Sequence, residues 1–134
     1  MSSSEALAII LDSTTELRSL ATELEGQGIA LQRRGGVSQA MDTARSGGPL
    51  LVVVSPAQLR EAQQARGGRS LPLLIGVAGD LEADELELLR GGADEVLRWP
   101  QAVESLLLRL RALRGRSRRL RELERHRAHR QLLD

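Results

Sequence analysis

Asp12, Ser13 and Ser55 stand where apolar runs stop, and that placement gives them a claim to chemistry. Asp12-Ser13 follows Ala6–Leu11 (ALAIIL), and Ser55 follows Leu50–Val54 (LLVVV) and precedes Pro56. Runs that are apolar at every position, rather than at alternate ones, read as strands covered on both faces by helices. In open parallel α/β sheets, reactive groups collect in the crevice beyond the carboxyl ends of such strands. A carboxylate there suits a hard divalent cation, and a serine suits either a nucleophile or a helix cap. A nucleophilic serine needs a base near neutral pH. The only histidines, His126 and His129, lie in the polar C-terminal tail.

Plainer work is open to the same residues. Ser55, Pro56 and Gln58 fit the N-cap, N1 and N3 positions of a helix, against a reading of Ser55 as a kinase target. Ser13 with Glu16 fits a capping box. Asp12 reads either as a relic metal ligand or as a carboxylate hydrogen-bonded to loop amides. Asp80 reads as the cap of a helix whose first turn carries Glu82, Asp84 and Glu85, or as a substitute acid leaning into the crevice. Trp99, the one aromatic residue, suits an exposed partner anchor or a plug in an apolar hollow.

The elements that must position these residues alternate along the chain. After a polar lead-in, Met1–Glu5, comes the strand run Ala6–Leu11. A helix follows with Leu17, Leu20, Ala21 and Leu24 on one face, closed by Gly26 and Gly28. Ile29–Leu31 reads as a short strand, and Gly35-Gly36 leads into a helix with Val37, Ala40, Met41 and Ala44 inward. The strand Leu50–Val54 precedes a polar helix ending at Gly67-Gly68. Leu71–Val77 is the next strand, with Pro72 tolerable only near its start. A helix with Leu86 and Leu89 inward ends at Gly91-Gly92, and Ala93–Arg98 holds a last strand. A long helix begins near Gln101 with a stripe of Val103, Leu106, Leu107, Leu110 and Leu113. Beyond Gly115 that stripe degrades. Five strands alternating with five helices predict a three-layer α/β sandwich with right-handed crossovers.

Composition narrows the functions. The 134 residues make one domain, over 1–114, with a basic tail over 115–134. No apolar run is long enough to cross a bilayer, so a cytoplasmic chain is expected. Cysteine is absent, which removes disulfides and thiolate metal sites. Lysine is absent as well, and all 19 basic residues are arginine. Residues 1–108 carry 9 arginines against 15 carboxylates, and residues 109–134 carry 10 against 3. An acidic globule therefore bears a basic tail. With Phe and Tyr missing, stacking platforms for single-stranded nucleic acid are not available.

The stretch Gly92-Ala93-Asp94-Glu95-Val96-Leu97-Arg98-Trp99-Pro100 resembles the end of the receiver domain of two-component response regulators. That family's pattern there is Gly-Ala-Asp-Asp-(aromatic)-Leu-any-Lys-Pro. Leu11-Asp12 followed by Glu16-Leu17-Arg18, Leu51–Val54 with Pro49 ahead, and Pro72–Ala78 extend the resemblance over roughly residues 6–114. It implies a flavodoxin-like fold, a five-stranded parallel sheet in order 2-1-3-4-5 with five helices, the last extended into the basic tail. It also implies a phosphotransfer site: an acceptor Asp, two acids holding Mg²⁺, a hydroxyl residue, a lysine and an aromatic switch.

Carried over position by position, one of those six survives. Asp12 matches the first metal acid, and Ser13 stands for the second. Ser55 replaces the phosphoacceptor, Val77 the hydroxyl residue, Trp99 the lysine and Val96 the aromatic switch. Receivers hold the corresponding Lys-Pro bond cis. The resemblance thus implies a cis Trp99-Pro100 bond with the indole turned into the crevice between Ser55 and Val77, its N–H on Asp12, Ser55 or a loop carbonyl.

The expectation is a degenerate receiver, or pseudo-receiver. It has no catalytic residues, no cofactor and no metal, Asp12 being a relic. It acts by contacts of the last strand and last two helices with a protein partner or output domain, or by homodimerisation. The tail is expected to be a linker helix cut from a longer protein. Two other readings stay open: an active phosphorelay receiver with displaced acids, and a regulator binding nucleic acid through its tail. Glu122 and Glu124 interrupt the tail's charge, which weighs against nucleic acid.

Overall fold

A computed structural model describes residues 5–133, so most of the polar lead-in, residues 1–4, lies outside it, as does residue 134. Five strands, β1 (Ala8–Leu11), β2 (Leu31–Arg34), β3 (Leu51–Val54), β4 (Leu73–Ala78) and β5 (Glu95–Arg98), alternate with five helices. The helices are α1 (Thr15–Gly26), α2 (Val37–Arg45), α3 (Pro56–Arg66), α4 (Glu82–Arg90) and α5 (Val103–Leu133). All neighbouring strands pair in parallel, in the order β2-β1-β3-β4-β5. This is the expected flavodoxin-like sandwich. Helix α1 packs beside α5, while α2, α3 and α4 pack in succession.

Every residue of β1, β3 and β4 is buried, as unbroken apolar runs require once helices cover both faces. The edge strand β2 (LQRR) is half-buried throughout. It begins where the expected strand Ile29–Leu31 ends, and the reason is local. Gly28 adopts φ +84°, its N–H donates to Glu25 O at 2.9 Å, and Ile29 N–H donates to Leu24 O at 3.1 Å. That is a Schellman stop, in which the apolar residue after the glycine folds back on the helix. Ile29 belongs to the end of α1 and not to a strand.

Three further expectations are corrected. The cap of α1 is Thr14, whose Oγ1 accepts from Leu17 N–H at 3.1 Å, so Ser13 and Glu16 form no capping box. Asp80 does not cap α4 either; Leu81 holds that position without a side-chain bond. Leu86 and Leu89 point outward, 44% and 56% exposed, while Leu88 is fully buried. Glycine decides this phase: a Cβ on Gly76 in β4 would collide with both Leu88 methyl groups. The missing side chain at Gly76 leaves the recess in which Leu88 seats.

Helix α5 buries Leu106, Leu110 and Leu113. It runs unbroken through Gly115. Ser117 is also buried, donating its hydroxyl to Arg114 O at 2.8 Å, and Leu120 packs partly against the core. From Glu122 through Leu132 the side chains are exposed. That stretch adds roughly 16 Å of helix at 1.5 Å per residue. Among the described residues, no helix is long and apolar enough to cross a membrane.

Candidate functional site

The carboxyl ends of β1, β3 and β4 bring Asp12, Ser13, Ser55 and Val77 to one end of the sheet, as their positions in the sequence imply. Between α1, α3 and α4 they leave a crevice of about 290 Å³. Its lining includes Thr14, Ser55, Val77 and Gly79, together with Glu16, Asp84 and Glu87. Among the described residues, three carboxylates and no cation therefore line this space.

Ser55 is nearly inaccessible, 5% exposed. Its N–H and its hydroxyl both donate to Gln58 Oε1, at 3.3 and 3.0 Å. The hydroxyl proton is thus committed to starting α3, with Pro56 at the first helical position where a missing N–H costs nothing. No side chain near Ser55 in the crevice supplies a neutral base, since both histidines lie on the distal turns of α5. Val77 adds only an apolar wall.

Asp12 sits among arginines. Its Oδ1 lies 3.4 Å from Arg18 Nε and 3.9 Å from Arg33 Nη1. The same oxygen is shielded from solvent and accepts no hydrogen bond, so loop amides do not hold it as one reading expected; Ser13 Oγ is likewise unpartnered. Arg33 is itself fixed by Glu25, with Nη2–Oε1 at 2.7 Å and Nε–Oε2 at 3.3 Å, and by Thr22 Oγ1 at 3.2 Å. The Glu25 hydrogen bonds hold the Arg33 guanidinium above its ordinary pKa. Partial desolvation opposes them, and the charges of Glu25 and Asp12 add to them.

These residues do not fit Mg²⁺. A hard dication asks for several oxygen ligands. Here one carboxylate, Asp12, already stands beside two guanidinium groups, and its neighbour Ser13 offers a hydroxyl and not a second carboxylate. Among the described residues, no group of three or more His, Cys, Asp or Glu side chains is placed to hold a metal.

Trp99 is buried, 7% exposed, and the Trp99-Pro100 bond is cis. Its direction differs from the expectation. The indole N–H donates to Ser19 Oγ on α1 at 3.1 Å, and the ring does not line the crevice. Trp99 packs on the α1 side of the sheet and leaves the space between Ser55 and Val77 open. Val96 is half-buried and packs against the core.

Sequence reasoning missed the arginines around Asp12. The signal lay in strand pairing, because Ile10 and Leu11 pair with Arg33 and Arg34 of the edge strand. Starting β2 two residues early, and ending it at Leu31, concealed it. It also missed the role of Asp94, whose Oδ2 accepts from Leu74 N–H at 2.7 Å and from Arg66 Nη1 at 2.6 Å.

No family model matches this sequence, and no curated protein matches it. Solved structures do. NtrX from Brucella abortus, in a crystal structure with ADP, superposes with a TM-score of 0.63 at 18% identity, over 87% of this chain and 29% of that one. This chain thus spans under a third of the length of that NtrX chain. A CheY-like response regulator receiver domain protein from Methanospirillum hungatei gives 0.59 at 19% identity, over 87% and 98% of the two chains. The isolated receiver domain of Brucella abortus NtrX gives 0.59 at 16% identity, over 81% and 98%. At such identities the likeness concerns the backbone. The chain has the fold of the response regulator receiver domains.

Proposed function

We propose that this chain is a degenerate receiver of two-component signal transduction, a non-enzymatic cytoplasmic module that works by protein contact and not by aspartyl phosphorylation. The observation that carries this reading is the crevice, where a capped serine and three carboxylates stand and no cation reaches. Phosphoryl transfer to a receiver needs an acceptor carboxylate and positive charge for the phosphoryl oxygens. A phosphate donor entering here meets negative charge only. The one surviving acid, Asp12, is occupied by Arg18 and Arg33.

The contact face we assign is α4, β5 and α5. Leu86, Leu89 and Leu108 are all more than 40% exposed there, which supports an output domain, a protein partner or a second copy docking on it.

Beryllofluoride with Mg²⁺, followed by amide NMR, tests the reading. Amide positions around Asp12 and Ser55 are expected to stay unchanged. Saturable shifts at those residues, or acetyl phosphate labelling of Glu16 or Asp84, would instead establish an active receiver with displaced acids.

A further inference from the structure

At the opposite end of the sheet lies a second hollow, of about 280 Å³. It opens between the start of β1, the turn at Gly47-Gly48-Pro49 and helix α5. Arg114, Arg118 and Arg121 line it, at spacings of four and three residues along α5, which puts all three on one face of the helix. Like charges so spaced repel one another. Of these three, Arg118 alone has a carboxylate partner among the described residues, Glu5. Residues 1–4 contain no acid, and Asp134 lies thirteen residues beyond Arg121. Three guanidinium groups against one carboxylate leave the hollow with a charge of +2.

Arg114 and Arg121 are half-buried, their stems packed at the hollow, and neither has a carboxylate partner among the described residues to offset its charge. Beside them stand Gln32 and an apolar wall of Leu7, Pro49 and Leu50. A guanidinium is a planar fork that matches phosphate oxygens in pairs. We propose that this hollow binds a small dianion of the phosphate class, clamped by Arg114 and Arg121, with Arg118 shared between the ligand and Glu5. The size agrees with one small ligand, close to the lower bound of roughly 300 Å³ for small-molecule pockets. The site is independent of the crevice at the other end and stands whether or not that crevice is inert.

The test is amide NMR of the whole chain, titrated with inorganic phosphate and with phenyl phosphate, against chloride at matched ionic strength. Both phosphates are expected to produce saturable shifts at Gly47, Gly48 and Ser117 that chloride does not. Tighter binding of phenyl phosphate points to a monoester using the apolar wall, and equal binding points to free phosphate. Arg114→Gln with Arg121→Gln is expected to weaken binding about tenfold, the loss of one charge-assisted hydrogen bond or more. Should the double variant fail to fold, Arg121→Gln alone and Glu5→Gln carry the test, the first weakening binding and the second tightening it by freeing Arg118. Arg125→Gln with Arg127→Gln is expected to change nothing. Three results overturn the proposal: shifts that chloride reproduces, affinity indifferent to Arg121, or a DNA duplex bound with steep salt dependence through Arg125, Arg127 and Arg130 in place of the phosphates.

Discussion

Arg66, at the end of α3, reaches across the start of β4 to place Nη1 2.6 Å from Asp94 Oδ2. The same oxygen accepts the Leu74 N–H at 2.7 Å, and the same Nη1 donates to Pro72 O at 3.1 Å. Arg66 Nη2 bonds Gln63 Oε1 at 2.8 Å, and Gln63 Nε2 holds the carbonyls of Gly91 and Gly92 at 3.0 and 2.7 Å. One network thus ties α3, β4 and the lead into β5 together. It explains in physical terms why an Asp follows Gly-Ala in this stretch.

Removing either partner leaves the other half-buried and unpaired, since their side chains are 10% and 22% exposed. Asp94→Ala also orphans the Leu74 N–H. The expected cost is about 2–3 kcal/mol for Asp94→Ala and for Arg66→Ala, with the double variant well short of the sum. Urea denaturation of the two single variants and the double variant checks this. A double variant equal to the sum would mean that the pair is uncoupled.

Gly76 and Leu88 give a second prediction. Gly76→Ala puts a methyl group where Leu88 seats, and overpacking of this kind costs about 1–3 kcal/mol. Leu88→Ala opens a cavity at a fully buried position and costs about 2–5 kcal/mol. Combined, the two changes are expected to cost less than their sum, because the alanine methyl partly fills the space that the leucine vacates. Thermal melts of the three variants give the answer, and strict additivity would remove the seat as the reason for the phase of α4.

Trp99 supplies its own probe, being the only aromatic residue. Its burial against α1 predicts blue-shifted emission and weak quenching by acrylamide. Ser19→Ala removes the hydroxyl that accepts the indole N–H at 3.1 Å. It is expected to change the emission and to cost about 0.5–1.5 kcal/mol. By contrast, Ser55→Ala is expected to leave the emission alone. A spectrum that answers to Ser55 and not to Ser19 would return the ring to the crevice.

The fold was legible because the apolar runs that become β1, β3 and β4 are continuous and the glycines mark nearly every helix end. Edge elements were less legible. The polar sequence of β2 carries no apolar pattern, and Ile29, strand-like by residue type, serves the stop of α1. Leu86, Leu88 and Leu89 offer two helical phases within four residues, and Gly76, on a neighbouring strand, makes room for Leu88. At the candidate site, the positions of Asp12, Ser55 and Val77 followed from strand ends. The direction of Trp99 did not, because a turn places its backbone while Ser19, eighty residues away, attracts its indole. Arg33 beside Asp12 required the register of an edge strand that the sequence pattern misplaces.

Carboxylates placed at Ser13 and Ser55 test the proposed loss of a metal and phosphoacceptor site. Ser13→Asp with Ser55→Asp adds two carboxylates to an end of the sheet where Asp12 already stands and Glu16, Asp84 and Glu87 face the crevice. Ser55→Asp also removes the hydroxyl that donates to Gln58 Oε1, although an Asp remains a competent N-cap. Repulsion among the carboxylates is expected to dominate without a cation, and the variant should lose about 1–2 kcal/mol at neutral pH and low salt. Mg²⁺ binds only the folded arrangement of acids, so it should restore stability in proportion to its occupancy. The unmodified chain, whose Asp12 is held by Arg18 and Arg33, should melt at the same temperature with or without Mg²⁺. Melts of both chains across a Mg²⁺ series at constant ionic strength separate the cases. Stabilisation of the unmodified chain by Mg²⁺, but not by an equal ionic strength of sodium chloride, would show that the native residues hold the cation and that the site is not degenerate.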